Sequence, residues 1–241
     1  MIVLRWILSL LFIIQMYLMM LVIAVVFAPF AIFSRNAAYA ACKSYAAWVV
    51  WTLRVMCGIT TEVRGTPPQD EVLVAAKHQS FYDILVIFLH LPRAKFIMKK
   101  ELIYAPLLGQ YALRIGCVPV DRGRRGAAIT KMKADVARGA VHPGQLVIYP
   151  QGTRVAPGEK LSYKMGPAVL YQQLDQPCVP VATNIGLFWP KRGILRKPGN
   201  AVVEFLPRIE TGLDLQTFTA ELETRIETAS DALNREAGFT G

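Results

Sequence analysis

The sequence predicts an α/β protein, a largely parallel or mixed sheet flanked by helices, preceded by an N-terminal hydrophobic two-helix membrane hairpin. Two observations carry this. The first 57 residues are predominantly apolar, helical in pattern and free of acidic side chains. Past residue 58, short apolar runs alternate with amphipathic stretches, the pattern of buried strands covered by helices on both faces of a sheet. The 241 residues are enough for one domain with a sizeable core. The expected division is 1–57 for the hairpin and 58–241 for the α/β domain.

From Trp6 to Phe33 there are 28 residues without a charge, interrupted only by Ser9, Gln15 and the hydroxyl of Tyr17. At about 1.5 Å per residue, the run up to Pro29 can cover a hydrocarbon core of roughly 30 Å. Ala38-Tyr39-Ala40 mimics a signal-peptide cleavage site, but the apolar region of such a peptide is only about 7–15 residues long. The segment ahead of it carries just Arg5, so cleavage is not expected. Ser34, Arg35 and Asn36 make a polar break, and a second helical pattern covers 37–57. Its Tyr39, Tyr45, Trp48 and Trp51 suit a water–lipid boundary, and Lys43 and Arg54 can reach anionic head groups. A buried core helix is the competing reading for 37–57. The hairpin either crosses the bilayer or lies within one leaflet.

In the second part, strands are expected at 72–76, 96–98, 117–120, 146–149, 179–182 and 201–205. Helices are expected at 81–89, 107–115, 124–138, 166–174 and 215–237. No repeat of 20–50 residues is visible, which disfavours a solenoid.

With 54% hydrophobic and 18% charged residues, against about 25% charged in an ordinary soluble domain, the composition excludes a disordered chain and leans toward a membrane. The net charge of +10 calls for a polyanionic partner: phospholipid, nucleic acid or a phosphorylated substrate. Its distribution narrows the choice. Residues 77–208 hold 20 basic and 7 acidic side chains, whereas 209–241 hold 2 and 7. No nucleic-acid motif or interleaved aromatic–basic face is present, and the apolar start argues against such a partner. Cys42, Cys57, Cys117 and Cys178 form no CxxC pair, so neither a metal site nor a disulfide framework is expected. Buried or free thiols in a reducing compartment remain.

Reactive residues in such sheets gather in loops after the strands. The first loop is Lys77-His78-Gln79-Ser80-Phe81-Tyr82-Asp83. Five residues apart, His78 and Asp83 would face away from each other on one continuous helix. Ser80-x-x-Asp83 is a capping-box-like start, so His78 can lie in the loop and fold back toward Asp83 in the first turn. Asp83 would then fix the imidazole tautomer. In the second loop, Arg122 ends a strand, with Arg124 and Arg125 close behind, and guanidinium groups match phosphate bidentately. The third is Tyr149-Pro150-Gln151-Gly152-Thr153-Arg154, where Gly152 admits close backbone approach and Arg154 offers another anion contact. Cys178-Val179-Pro180-Val181-Ala182 reads as a packing strand. Met98-Lys99-Lys100-Glu101-Leu102 adds two cations that are anion contacts or simply solvated charge.

Together these blocks resemble the HxxxxD glycerolipid acyltransferases, in particular the 1-acylglycerol-3-phosphate acyltransferases. His78 to Asp83 resembles the HxxxxD block, 116–122 the second block, Tyr149 to Arg154 the third (usually FPEGTR), and Val179-Pro180-Val181 the fourth, all in family order. One departure stands out: Gln151 replaces the usual Glu, keeping shape and hydrogen bonds but losing the charge.

The resemblance implies transfer of a fatty acyl group from a thioester to the sn-2 hydroxyl of lysophosphatidate, giving phosphatidate. His78 would be the general base and Asp83 its orienter. Arg122 and Arg154 would hold the phosphate, and Gln151, Gly152 and Thr153 would complete the substrate loop. Lys99 would stabilise developing negative charge. No cofactor is implied beyond the acyl donor, acyl-CoA or an acyl carrier protein thioester, and no GxSxG elbow points to an acyl-serine. The expected partners are lysophosphatidate, the acyl thioester and membrane phospholipids, at the cytoplasmic face of a bacterial inner membrane. The alternatives are an acyltransferase for another lysolipid (a lyso-ornithine lipid or lysophospholipid) or a non-catalytic phospholipid-binding protein.

Overall fold

In the computed structural model, residues 2–120 and 143–240 are described. The chain opens with two long helices, α1 (Ile2–Phe33) and α2 (Arg35–Cys57). The break between them is a single residue. Ser34 leaves the helical conformation and its hydroxyl accepts the Ala37 N–H, capping α2. Gly58, at φ +67°, ends α2 and returns its N–H to Arg54 O. The two helices pack against each other: Gln15 donates to Thr52 Oγ1 at 3.0 Å and accepts from Trp48 Nε1 at 2.6 Å. Of the described helices, α1 alone is long and apolar enough to cross a membrane. Ile7, Leu11, Leu18, Val25 and Phe30 all lie on its exposed surface.

The expected α/β architecture follows. Among the described residues, seven strands, β1 (Ile59–Arg64), β2 (Leu73–Ala76), β3 (Lys95–Lys99), β4 (Val118–Val120), β5 (Leu146–Ile148), β6 (Cys178–Thr183) and β7 (Gly199–Phe205), form one sheet in the order β1-β7-β6-β2-β5-β3-β4. All described pairings are parallel except β6–β7, so the sheet is mixed. The other α-helices among the described residues are α3 (Tyr82–His90), α4 (Leu108–Arg114), α5 (Gly166–Leu174) and α6 (Leu215–Glu236). The helix expected at 124–138 lies outside the described residues. Strand β1 was not expected; its Thr60, Thr61, Glu62 and Arg64 break the apolar pattern because, among the described strands, it lies at the edge with β7 as its neighbour.

Alternate residues of the central strands feed two cores. Val74, Ala76, Val147 and Val179 face α1, α2 and α3 in a cluster that includes Phe12, Met16, Leu53 and Phe88. Leu73, Ala75, Leu146 and Ile148 face the other way, toward Tyr171 of α5 and Phe218, Leu222 and Ile226 of α6. Because β2, β3, β4, β5 and β6 all run in one direction, their carboxyl ends share one edge. The loops with the chemistry-bearing residues meet there.

A cost is built into β3. Lys95 is buried and its Nζ has no hydrogen-bond partner among the described residues. Burial pushes its pKa from 10.5 down to about 8, with Glu71 acting weakly in the other direction. The native pKa lies below the unfolded one, so between about pH 8 and 10.5 the unfolded chain binds more protons and native stability rises with pH. Lys95→Met should therefore stabilise the protein at pH 7 by about 1–3 kcal/mol. The gain should shrink as pH approaches 10, a trend readable from denaturant unfolding at several pH values.

Candidate active site

Strand β2 ends at Ala76 and α3 begins at Tyr82, so Lys77 to Phe81 form the connection. Successive side chains leave on opposite faces of the sheet. Lys77 goes toward α6, where its Nζ donates to both oxygens of Glu227 at 2.7 and 2.6 Å. His78 goes toward α3 and lines a cleft. Its Nδ1 lies 2.9 Å from Asp83 Oδ1 and 3.2 Å from Oδ2.

The turn is built around that carboxylate. Asp83 Oδ2 accepts the backbone N–H groups of Gln79 and Ser80, each at 2.8 Å, and Ser80 Oγ accepts the Tyr82 N–H at 3.2 Å. The helix begins two residues after Ser80, with Phe81 at its N-cap position. Asp83 reaches back to the Ser80 N–H as in a capping box, but Ser80 Oγ takes the Tyr82 N–H rather than that of Asp83, so the box expected from the sequence is only half formed. Tyr149 OH donates the fourth bond, to Asp83 Oδ1 at 3.1 Å. Four donors on a fully buried carboxylate compensate its desolvation. Burial first, then the Asp83 charge, pushes the Tyr149 phenol well above its ordinary pKa, so it stays a donor. Its ring also stacks on the imidazole, with centroids 3.9 Å apart and planes 20° off parallel. A carboxylate only accepts, so Nδ1 carries the proton and Nε2 of the neutral ring keeps its lone pair.

The cleft has a volume of about 580 Å³. Phe81, Leu85, Phe88 and Phe96 line it, as do Met20 and Ala24 of α1 and Tyr45 of α2. Lys99, Thr153 and Arg154 join His78 on its lining, together with Lys191. The Arg154 guanidinium donates to Lys191 O at 3.3 Å, and Lys191 Nζ donates to Arg154 O at 2.8 Å. An acid-oriented base, an apolar cleft and cations on its walls can deprotonate a hydroxyl on an anionic, lipid-like molecule.

Gln151 is not on the cleft. It is buried on the α6 side, donating to Leu161 O at 3.1 Å and reaching Glu227 Oε1 at 3.5 Å. Gly152 adopts φ +69°, and a Cβ there would stand 2.7 Å from Lys164 Nζ; the left-handed turn is what calls for glycine. Arg122, Arg124 and Arg125 lie outside the described residues. Sequence reasoning missed Tyr149 OH, Lys77 and Glu227. The only signal for the first was Tyr where the resembling block has Phe.

A family model described as Acyltransferase matches residues 60–184, just over half of the chain. This chain belongs to the acyltransferase family. The acyltransferase is 26% identical over 187 residues to a 1-acyl-sn-glycerol-3-phosphate acyltransferase of Pseudomonas aeruginosa, a match covering 77% of this chain and 73% of that protein. It is 30% identical over 164 residues to the alpha form of the mouse enzyme of that name, covering 66% of this chain and 58% of the relative. The coconut enzyme of the same name is 35% identical over 56% of this chain and 44% of its own. The chain therefore spans only about half the length of the plant and animal relatives. The acyltransferase shares its fold with the 1-acyl-sn-glycerophosphate acyltransferase PlsC of Thermotoga maritima, with a TM-score of 0.79 at 20% identity over 95% of this chain and 98% of that one.

Proposed function

We propose that this acyltransferase moves a fatty acyl group from an acyl thioester to the sn-2 hydroxyl of 1-acylglycerol-3-phosphate, giving phosphatidate for phospholipid synthesis. The observation that carries the reading is the His78–Asp83 pair opening on an apolar cleft with cations along its walls. The names of the relatives in Pseudomonas, mouse and coconut support the acceptor.

In this mechanism Nε2 of His78 takes the proton of the sn-2 hydroxyl as the oxygen attacks the thioester carbonyl. The tetrahedral intermediate collapses to the ester and expels the thiolate, which receives the proton from the imidazolium. Asp83 holds the ring through Nδ1 and stabilises its charged form without itself taking the proton. Arg154, together with Arg122, grips the acceptor phosphate, and Lys99 offsets charge developing on the carbonyl oxygen. The aromatic and aliphatic lining of the cleft takes an acyl chain.

Residues 1–57 act as the membrane-associated unit, and the apolar outer face of α1 supports this. It brings the site to the surface where lysolipid and product reside, at the cytoplasmic face of a bacterial membrane. The acyl donor is a coenzyme A or acyl carrier protein thioester. Both are anionic and suit the positive middle of the chain.

Thiol release measured with a panel of lysolipids against both donors tests the function. Lysophosphatidate should be the best acceptor; equal turnover with lysolipids that lack a phosphomonoester would overturn the assignment. Arg154→Lys keeps the charge but loses the planar fork. A charge-assisted hydrogen bond contributes roughly 1.5–3 kcal/mol, so kcat/KM for lysophosphatidate should fall by about 10- to 100-fold. For an acceptor without the phosphomonoester the change should be small.

A further inference from the structure

Behind the third block stands a carboxylate from another part of the chain. Glu227, in the middle of α6, receives Lys77 Nζ on both oxygens at 2.7 and 2.6 Å and the Tyr163 hydroxyl at 2.8 Å. The amide of Gln151 lies 3.5 Å from its Oε1. Three segments thus converge on one side chain: the end of β2, the third block, and the stretch before α5. Lys77 and Gln151 are both buried. Burial, and then the Glu227 charge, keeps the Tyr163 phenol raised and donating.

One carboxylate balances the one ammonium here. A desolvated ammonium on Lys77 needs a counter-charge close by, because removing one partner of a buried pair leaves an uncompensated charge. A second carboxylate at position 151, about 3.5 Å from the first, would set a buried charge against Glu227, whose side chain keeps 24% exposure, so the two like charges would repel with only partial screening by solvent. The third block of the resembling family carries Glu at 151; this chain has Gln151 there and Glu227 opposite.

The counter-charge matters for chemistry because Lys77 and His78 are adjacent residues just beyond β2. Lys77 is tied to α6 on one face of the sheet, while His78 is tied to Asp83 on the other. Between them the backbone is held from both sides: Lys77 N–H donates to Val181 O at 2.9 Å, and His78 O accepts from Val155 N–H at 2.8 Å. The Lys77 side-chain tether to Glu227 thus acts beside these two backbone bonds in setting the peptide that aims the imidazole, and its loss shifts that aim only as far as the two bonds allow.

We propose that Glu227 is a positioning residue for acyl transfer, supplying from the C-terminal helix the carboxylate that Gln151 lacks and fixing His78 through Lys77. The inference rests on the reading of His78 as the general base.

The test is a cycle of Glu227→Gln and Gln151→Glu, singly and together, in the full-length chain, with kcat, KM and Tm measured for each. Glu227→Gln should lower kcat by about 10- to 100-fold with KM within a few-fold, since a misplacement of about 1 Å costs on the order of 10²-fold in rate. Gln151→Glu should lower kcat in the native background yet raise it in the Glu227→Gln background, where it returns a single carboxylate to the site. That reversal of sign is what a purely structural role does not produce; such a role moves Tm and leaves the kcat of the folded fraction alone. Equal effects of Gln151→Glu in both backgrounds, or a Glu227→Gln enzyme with unchanged kcat, would overturn the proposal. Should Glu227→Gln fail to fold, Tyr163→Phe removes only one bond to Glu227 and should still lower kcat several-fold; an unchanged kcat there overturns the proposal as well. His78→Ala separates the two readings. An active His78→Ala enzyme sinks the base assignment, whereas an inactive one alongside an additive cycle sinks only the role of Glu227.

Discussion

His78→Ala is expected to lower kcat by about 10²- to 10⁴-fold, the range over which a positioned general base contributes. The fold should survive the change. Among the described residues the imidazole is hydrogen-bonded to Asp83 alone, and after its removal that carboxylate retains the Gln79 and Ser80 N–H groups and the Tyr149 hydroxyl. The stacking on Tyr149 is lost, so a small fall in Tm is expected, well short of unfolding. The acceptor phosphate is to be held by other residues, so KM for lysophosphatidate should change little. Thiol release within a few-fold of the parent, by a variant with an unchanged circular dichroism spectrum, would remove His78 from the mechanism.

The sequence made the strand–loop–helix order legible because the central strands are buried on both faces and read as unbroken apolar runs. The helix over 166–174 is found with the expected bounds, and that over 215–237 to within a residue. Strand β1 was hidden by its edge position: with β7 as its neighbour among the described strands, Thr60, Glu62 and Arg64 stay partly solvated and break the pattern. At the site, the fold-back of His78 onto Asp83 could be read locally, since Ser80 and Asp83 form a recognisable helix start. Tyr149 OH could not be, because its value depends on β5 lying beside β2. Glu227 was still less accessible. It sits 150 residues from Lys77, in a helix whose acidic side chains look like ordinary solvated charge until the sheet places one of them against a buried lysine. The direction of Gln151 was hidden for a similar reason: motif order does not say which face of the sheet a loop residue takes.

Asp83→Asn should be as damaging as loss of the base, for a reason visible in the donor count. Four donors converge on the carboxylate: His78 Nδ1, two backbone N–H groups and the Tyr149 hydroxyl. An asparagine offers one oxygen and one NH₂. Turning the oxygen toward the two backbone N–H groups points the NH₂ at His78 and Tyr149. The imidazole must then accept at Nδ1 and carry its proton on Nε2, where it can no longer take one from a hydroxyl. The same tautomer argument accounts for a loss of about 10⁴ in the serine protease triad, so a fall in kcat on the order of 10²- to 10⁴-fold is expected here. Tm should fall too, because charge-assisted bonds at the start of α3 become neutral ones. Since Asp83 acts only through His78, the double variant His78→Ala with Asp83→Asn should lose little more kcat than His78→Ala alone. Multiplicative losses in that pair would mean that Asp83 acts on the substrate by a route independent of the imidazole.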